Sequence, residues 1–157
     1  MTKLEPGQKM PDVEFTNAVG APIRLSSLLG KKTIVLYFYP KDGTSGCTIE
    51  ACAFRDSYEA FTQAGADVIG VSRDDAGDHA EFKSKNRLPF TLLTDKNGDA
   101  AKGLGVKKVL GLLPGRVTFV IDRDGVLRNR FDSAIRMTEH VNTALDLVKS
   151  LESKPAA

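Results

Sequence analysis

The sequence predicts a single α/β domain over residues 1–157, built on a mixed sheet. Three patterns carry this reading. Residues 33–39 and 66–72 are near-continuous apolar runs rich in β-branched and aromatic side chains, as in strands buried on both faces. A helical period lies between them, so strand, helix and strand form a parallel unit with a right-handed crossover. Residues 116–122 and 126–131 flank Asp124-Gly125, a hairpin signal that adds antiparallel strands. Strand order stays open at this level.

The remaining elements follow in chain order. Val13 and Phe15 alternate with polar residues, as do Ile23 and Leu25, and residues 17–20 supply turn chemistry between them, so this is a hairpin. Residues 26–29 make one helical turn closed by Gly30. The strand at 33–39 stops at Pro40, which has no N–H to give a ladder. Residues 43–46, Gly-Thr-Ser-Gly, form a turn. A helix then runs from Cys47, with Ile49, Cys52, Ala53 and Ala60 on or near one face, to about Ala64 and ends at Gly65. After the second apolar strand, residues 75–87 read as an exposed helix with Ala80 and Phe82 inward, ended by Pro89. Residues 90–94 read as a short strand, 95–99 as a turn and 100–104 as a short helix. Residues 105–115 hold three glycines and a proline and read as a loop. Beyond the second hairpin, residues 132–137 connect to a last helix capped by Thr138, with Val141, Ala144, Leu145, Val148 and Leu151 at helical spacing. Residues 153–157 read as a frayed tail.

Composition narrows the function classes. A formal charge of +2 without a basic stripe argues against nucleic acid, and Lys31-Lys32 and Lys107-Lys108 read as solvated pairs. No apolar run is long enough to span a membrane, and residues 1–10 contain no apolar signal core. The expectation is a cytoplasmic protein with no membrane partner. Two cysteines, Cys47 and Cys52, are too few for a secreted disulfide scaffold. Together with the distant His79 and His140 they make a poor zinc set, so no metal is expected. Their spacing is Cys-x4-Cys rather than the Cys-x2-Cys of thioredoxin-type redox motifs.

Cys47 is the residue with chemistry to offer. It falls in the first turn of a helix just after a strand, where backbone N–H groups are unpaired and the helix dipole is positive. A free thiol is only a few per cent thiolate at neutral pH, and making thiolate dominant takes about 2 kcal/mol. A helix N-terminus typically supplies about 0.3–1 kcal/mol, so a cation is needed as well. Arg116, opening a buried-looking strand after the Gly-rich loop, is a candidate; most arginines are solvated surface charges. Thr44 reads as a helix cap or as a hydroxyl within reach of the sulfur, and Ser45 can cap in its place. Pro40 reads as a strand terminator or as a wall against solvent, and Glu50 as a favourable charge near the helix start. Cys47 itself reads equally well as a small buried hydrophobe.

The pattern Pro40-x3-Thr44-x2-Cys47 resembles the active-site signature of the peroxiredoxins. The Phe-Tyr-Pro before it, Glu-Ala-Cys-x-Phe-Arg-Asp after it, and Leu-Pro-Gly-Arg-Val-Thr-Phe-Val-Ile-Asp at 113–122 are similar to the Q-type subfamily, which includes bacterioferritin comigratory protein. The likeness runs from the first hairpin to the last helix. One departure is Ser45, where many Q-type members carry proline. The resemblance implies a thioredoxin-like fold and a thiol peroxidase without metal, haem or flavin. It implies that Cys47 is the peroxidatic cysteine, that Pro40, Thr44 and Arg116 complete its pocket, and that Cys52 is the resolving cysteine. The substrate is then a hydroperoxide, the oxidised form an intramolecular disulfide, the reductant thioredoxin or a glutaredoxin-like protein, and the molecule a monomer. Two other readings stay open: a dithiol oxidoreductase, against which the spacing argues, and a redox sensor or holdase that switches on a Cys47–Cys52 disulfide.

Overall fold

The computed structural model describes residues 4–109, 113–133 and 136–152. Residues 153–157, read from sequence as a frayed tail, lie outside them. The first hairpin forms from β1 (Glu14–Thr16) and β2 (Pro22–Arg24), paired antiparallel, followed by the single turn α1 (Leu25–Leu28). The two apolar runs are β3 (Thr33–Phe38) and β4 (Ala66–Ser72), which pair in parallel from Thr33↔Ala66 to Phe38↔Val71. β5 (Thr91–Thr94) continues the parallel set beside β4. β8 (Val117–Ile121) lies antiparallel on the other side of β3, and β9 (Leu127–Asp132) antiparallel beyond it. The order is β2-β1-β5-β4-β3-β8-β9, a mixed seven-stranded sheet with β3 well inside it.

The period of two along β3 explains why its run is unbroken. Val35 and Tyr37, with Tyr39 just past the strand, enter one core together with Phe54, Phe61, Phe82, Phe90, Val141 and Val148. Ile34, Leu36 and Phe38 enter a second core on the opposite face with Phe15, Ile69, Leu93 and Phe119. The first face is covered by α2 (Ser45–Asp56), α3 (Tyr58–Gln63), α4 (Ala76–Asn86) and α6 (Met137–Glu152). The second is covered by α1, α5 (Asp99–Gly103) and the first hairpin.

Several elements differ from the sequence reading. The helix expected from Cys47 to Ala64 begins two residues earlier, at Ser45, and is pinched into α2 and α3 at Ser57, with φ −101° and ψ 2°. Thr44 in extended conformation precedes Ser45, so Ser45 sits at the first helical position, where proline is otherwise favoured. On α4 the inward residues are His79 and Phe82, while Ala80 is exposed. That helix is closed by Arg87 in the left-handed region (φ 53°) before Pro89 is reached. The 105–115 loop contains a two-residue ladder, β6 (Lys108–Val109) with β7 (Leu113–Pro114). Thr138 lies inside α6, which starts at Met137, and so is not its cap. Among the described residues no helix is long and apolar enough to cross a membrane.

Candidate active site

β3 delivers the chain to the site. Pro40 follows it in a half-buried bend, and the next residues are braced from the side. Tyr39 donates its hydroxyl hydrogen to Asp42 Oδ1 at 2.5 Å, and the Asp42 amide donates to Asp74 Oδ2 at 2.8 Å. His79 Nδ1 lies 2.6 Å from Asp42 Oδ2, which ties this loop to α4. Gly43 takes φ +80°, a conformation open to glycine at little cost. Thr44 is exposed, and its hydroxyl donates to the Lys41 carbonyl at 3.0 Å, so its hydrogen is engaged by backbone rather than by sulfur.

Cys47 is the third residue of α2 and only 1 % exposed. Arg116, one residue ahead of β8, is buried as well and points at it. Its Nη2 donates to Cys47 Sγ at 3.5 Å, and its Nη1 donates to Glu50 Oε1 at 2.7 Å. Thus β8, antiparallel to β3, carries the guanidinium to a sulfur 69 residues away in sequence. Burial works against the charge of Arg116, yet Glu50 and then Cys47 hold it above its ordinary value. Gly46 makes room for the approach: a Cβ there would stand 3.2 Å from Arg116 Nη2 and 2.6 Å from Met137 Cε. Close packing, not turn geometry, is therefore what asks for glycine at 46.

Glu50 corrects the sequence reading most. It is no dipole charge at a solvated helix end but a carboxyl with 0 % exposure, one turn below the sulfur. Burial pushes it up to about 7, with Arg116 pulling the other way. Its Oε2 has no hydrogen-bond partner among the described residues and lies 3.7 Å from His140 Nδ1. His140, from α6, lies 2.7 Å from Thr118 Oγ1 through Nδ1 and 2.8 Å from the Ser133 carbonyl through Nε2. A carbonyl only accepts, so Nε2 carries the hydrogen, and the Thr118 hydroxyl donates to Nδ1 in the neutral ring. Burial pushes His140 below its ordinary value, consistent with that form. The helical spacing of Cys47 and Glu50 was the available signal for the carboxyl; His140 had none in sequence.

Cys52 is on the same helix, half-buried, with its thiol free, as is that of Cys47. The structure thus gathers Cys47 and Arg116, adds Glu50, and sets Cys52 further along α2.

Comparison with known proteins identifies the family. The model of the AhpC/TSA family matches residues 6–130. Peroxiredoxin Q of Oryza sativa subsp. japonica, a chloroplastic protein, is 45 % identical over 150 residues, 95 % of this chain and 69 % of the rice protein. The chloroplastic peroxiredoxin Q of Arabidopsis thaliana is 44 % identical over 149 residues, 94 % of this chain and 68 % of its own. Among solved structures, peroxidoxin BcpB of Mycobacterium tuberculosis superposes with a TM-score of 0.86 at 36 % identity, covering 94 % of this chain and 98 % of its own. The bacterioferritin comigratory protein of Xanthomonas campestris, a protein with alkyl peroxide reduction activity, gives 0.82 at 27 % identity, covering 95 % and 100 %. These are thioredoxin-fold peroxiredoxins, so the expected fold holds. The cytoplasmic expectation does not: the plant relatives are chloroplastic. Compartment is read by receptors from targeting segments, and the charge and hydropathy of a folded domain carry no such address. A family match across residues 6–130 and this identity to peroxiredoxins Q together place the chain in the AhpC/TSA family, as a peroxiredoxin that reduces peroxides through a thiol.

Proposed function

We propose that the chain, acting as one unit over residues 1–157, reduces hydrogen peroxide and alkyl hydroperoxides at Cys47. The observation that carries this reading is the Arg116 guanidinium 3.5 Å from a buried sulfur in the first turn of α2. The cation and the positive end of the helix dipole both face this sulfur. The thiolate attacks the terminal peroxide oxygen, the O–O bond breaks, and Cys47 becomes a sulfenic acid while water or alcohol leaves. Arg116 and the amides at the start of α2 stabilise the oxygen that gains charge. Thr44 helps to hold the peroxide through its hydroxyl, and Pro40 is a wall that limits solvent access. Cys52 then attacks the sulfenic sulfur, giving a disulfide and releasing water. Thioredoxin or a glutaredoxin-like dithiol protein reduces that disulfide by exchange. The molecule works as a monomer, and since its curated relatives are chloroplastic, the plastid is the compartment to examine.

The disulfide step makes a demand on α2, which carries both cysteines. Five helical residues advance about 7.5 Å and turn about 140°, which sets the Cα atoms roughly 8–9 Å apart. A disulfide needs about 7 Å or less with facing Cβ vectors. The helix must open for the bond to form. A coupled assay with thioredoxin, its reductase, NADPH and peroxide tests the whole reading, with Cys47→Ser as control. Steady NADPH consumption by the wild type and none by the variant is expected. Stoichiometric oxidation without turnover would instead identify a redox switch.

A further inference from the structure

The loop that leads into α2 is fastened to the rest of the molecule at one side chain. Of residues 41–45 only Asp42 turns inward; Lys41, Gly43, Thr44 and Ser45 are exposed. The side chains of Asp42 and His79 are each 6 % exposed. Asp42 Oδ1 accepts from the Tyr39 hydroxyl at 2.5 Å, and Oδ2 lies 2.6 Å from His79 Nδ1. His79 Nε2 in turn lies 3.0 Å from the Leu93 carbonyl of β5. A carbonyl only accepts, so Nε2 carries a hydrogen. The contact to Asp42 needs a hydrogen as well. Between a carboxyl and an imidazole it belongs to the ring, whose charged form is the weaker acid. These contacts therefore ask for an imidazolium with both of its hydrogens engaged.

We propose that His79 is a positioning residue for the peroxidase reaction: as an imidazolium it holds Asp42, and through Asp42 the loop that places Thr44 and the first turn of α2 around Cys47. This rests on the reading of Cys47 given above. The path from Asp42 to the sulfur is short, five residues along the chain. Gly43, at φ +80°, turns the backbone, and Thr44 precedes Ser45, the first residue of α2. The Thr44 hydroxyl donates to the Lys41 carbonyl at 3.0 Å, and the Thr44 carbonyl accepts from the Thr48 amide at 2.9 Å. Thr44 thus links the loop to the helix start. The two partners of the clamp act through this backbone and not on the peroxide.

The groups around the clamp explain why the ring must carry charge. They are Tyr39 at the end of β3, Asp74 and Asp75 from the loop after β4, and Asp78 and Glu81 from α4, while β5 offers the Leu93 carbonyl. Arg73, the cation of the loop after β4, lies instead against Gly98. Asp74 Oδ2 accepts from the Asp42 amide at 2.8 Å and from the Ser72 hydroxyl at 2.6 Å, so a second carboxylate is fixed beside the first. Asp75 first, then burial, Asp74, Asp42 and Glu81, push the Asp78 carboxyl up, a mark of crowded negative charge. A buried carboxylate is costly unless it is paired. A ring without hydrogen on Nδ1 would turn a lone pair toward Asp42 and lose the contact.

The test is made on the full chain. Nitrogen NMR of the His79 ring at neutral pH should show hydrogen on both ring nitrogens; one bare nitrogen overturns the proposal. Asp42→Ala and His79→Phe should slow the first oxidation of Cys47 in stopped flow by about tenfold, short of the ~10²-fold that a misplacement of about 1 Å can cost. Asp42→Ala decides alone where His79→Phe does not fold. Asp42→Asn should recover most of the lost rate. Its amide donates to Nδ1 of a neutral ring while its oxygen still accepts from Tyr39, so each contact is kept without charge. The pH profile separates this role from plain packing. As pH rises and the NMR signal reports loss of the Nδ1 hydrogen, the wild-type rate should fall relative to that of Asp42→Asn. Taking the ratio removes the titration of Cys47, which is common to both proteins. A ratio that stays constant through that loss, or a folded Asp42→Ala protein at the wild-type rate, overturns the positioning role. A wild type that has both ring hydrogens but consumes no peroxide overturns the reading of Cys47 instead, a result separate from the ring signal.

Discussion

Arg116 divides its two terminal nitrogens between a sulfur and a carboxyl, and this division sets what each neighbour does. One cation faces a thiol and a carboxyl, two groups that can both carry negative charge. Replacing Arg116 by Ala should slow peroxide attack at least ~10²-fold, ~2.7 kcal/mol, comparable to removing an oxyanion-hole donor. Stopped-flow measurement of the first oxidation reads this directly, and a variant within about threefold of wild type would exclude the role. Lys at 116 should recover only part, because it lacks the planar fork that reaches sulfur and carboxyl together. Glu50 also predicts a pH dependence of stability. Burial lifts it from 4.5 to about 7, so between those values the folded protein keeps a proton that the unfolded chain has released. Its contribution is complete below about 4.5 and declines by about 3 kcal/mol as pH rises to 7. His140, held low by burial, has the opposite sign near its unfolded value, where the unfolded chain binds the extra proton. Urea unfolding of wild type and Glu50→Gln across this range isolates the carboxyl. The wild type should lose stability relative to the variant as pH rises; parallel profiles would mean that Glu50 titrates alike in both states.

At the scale of one element, α2 carries both thiols and cannot keep its form when they join. Its N-terminal part is held on one side, by buried Cys47 and Glu50, while Ile49 is 56 % exposed, against the sequence expectation of an inward side chain. Phe54, near the other end, is fully buried. Opening should therefore begin around Gly43 and Cys47, with Phe54 as the anchor. Oxidation by one equivalent of peroxide should lower helical circular dichroism and speed amide exchange across Ser45–Asp56, while β3 and β4 stay protected. Cys52→Ser, treated alike, should keep its helix and over-oxidise more readily to sulfinic acid. If the wild type retains full helical signal while its disulfide is demonstrably present, the argument from helix geometry is wrong.

At the scale of the molecule, the sheet carries the site on one face, and an aromatic cluster packs into the core of that face. Tyr37 stacks on Phe54 with ring centroids 4.5 Å apart, and Phe90 meets both rings edge-on. The cluster joins β3, α2 and the start of β5, so it couples the stability of the domain to the placement of the helix that bears Cys47. Phe54→Ala should cost about 3–5 kcal/mol in chemical denaturation, the range for a large ring removed from a packed core. A loss under about 1 kcal/mol would show that α2 adds little to the global stability and opens independently of it.

The sequence by itself determined the strands at 33–39 and 66–72, the two hairpins and the place of Cys47 at a helix start, because periodicity, turn residues and caps are local. It made Arg116 one candidate cation, by its place ahead of a buried-looking strand, and only the resemblance gave it a role, since nothing local tells a buried guanidinium from a solvated one. Strand order was closed to it, because pairing of β3 with both β4 and β8 is a matter of long-range contacts. The break at Ser57 and the inward turn of His79 rather than Ala80 were also decided by packing against the sheet. Glu50 is the clearest case. Its neighbours in the chain make it a surface charge, and only the meeting of α2, α6 and the chain entering β8 removes it from water and sets it against Arg116 and His140. Burial is a property of what the rest of the chain covers, so the ionisation of that carboxyl belongs to the tertiary structure alone.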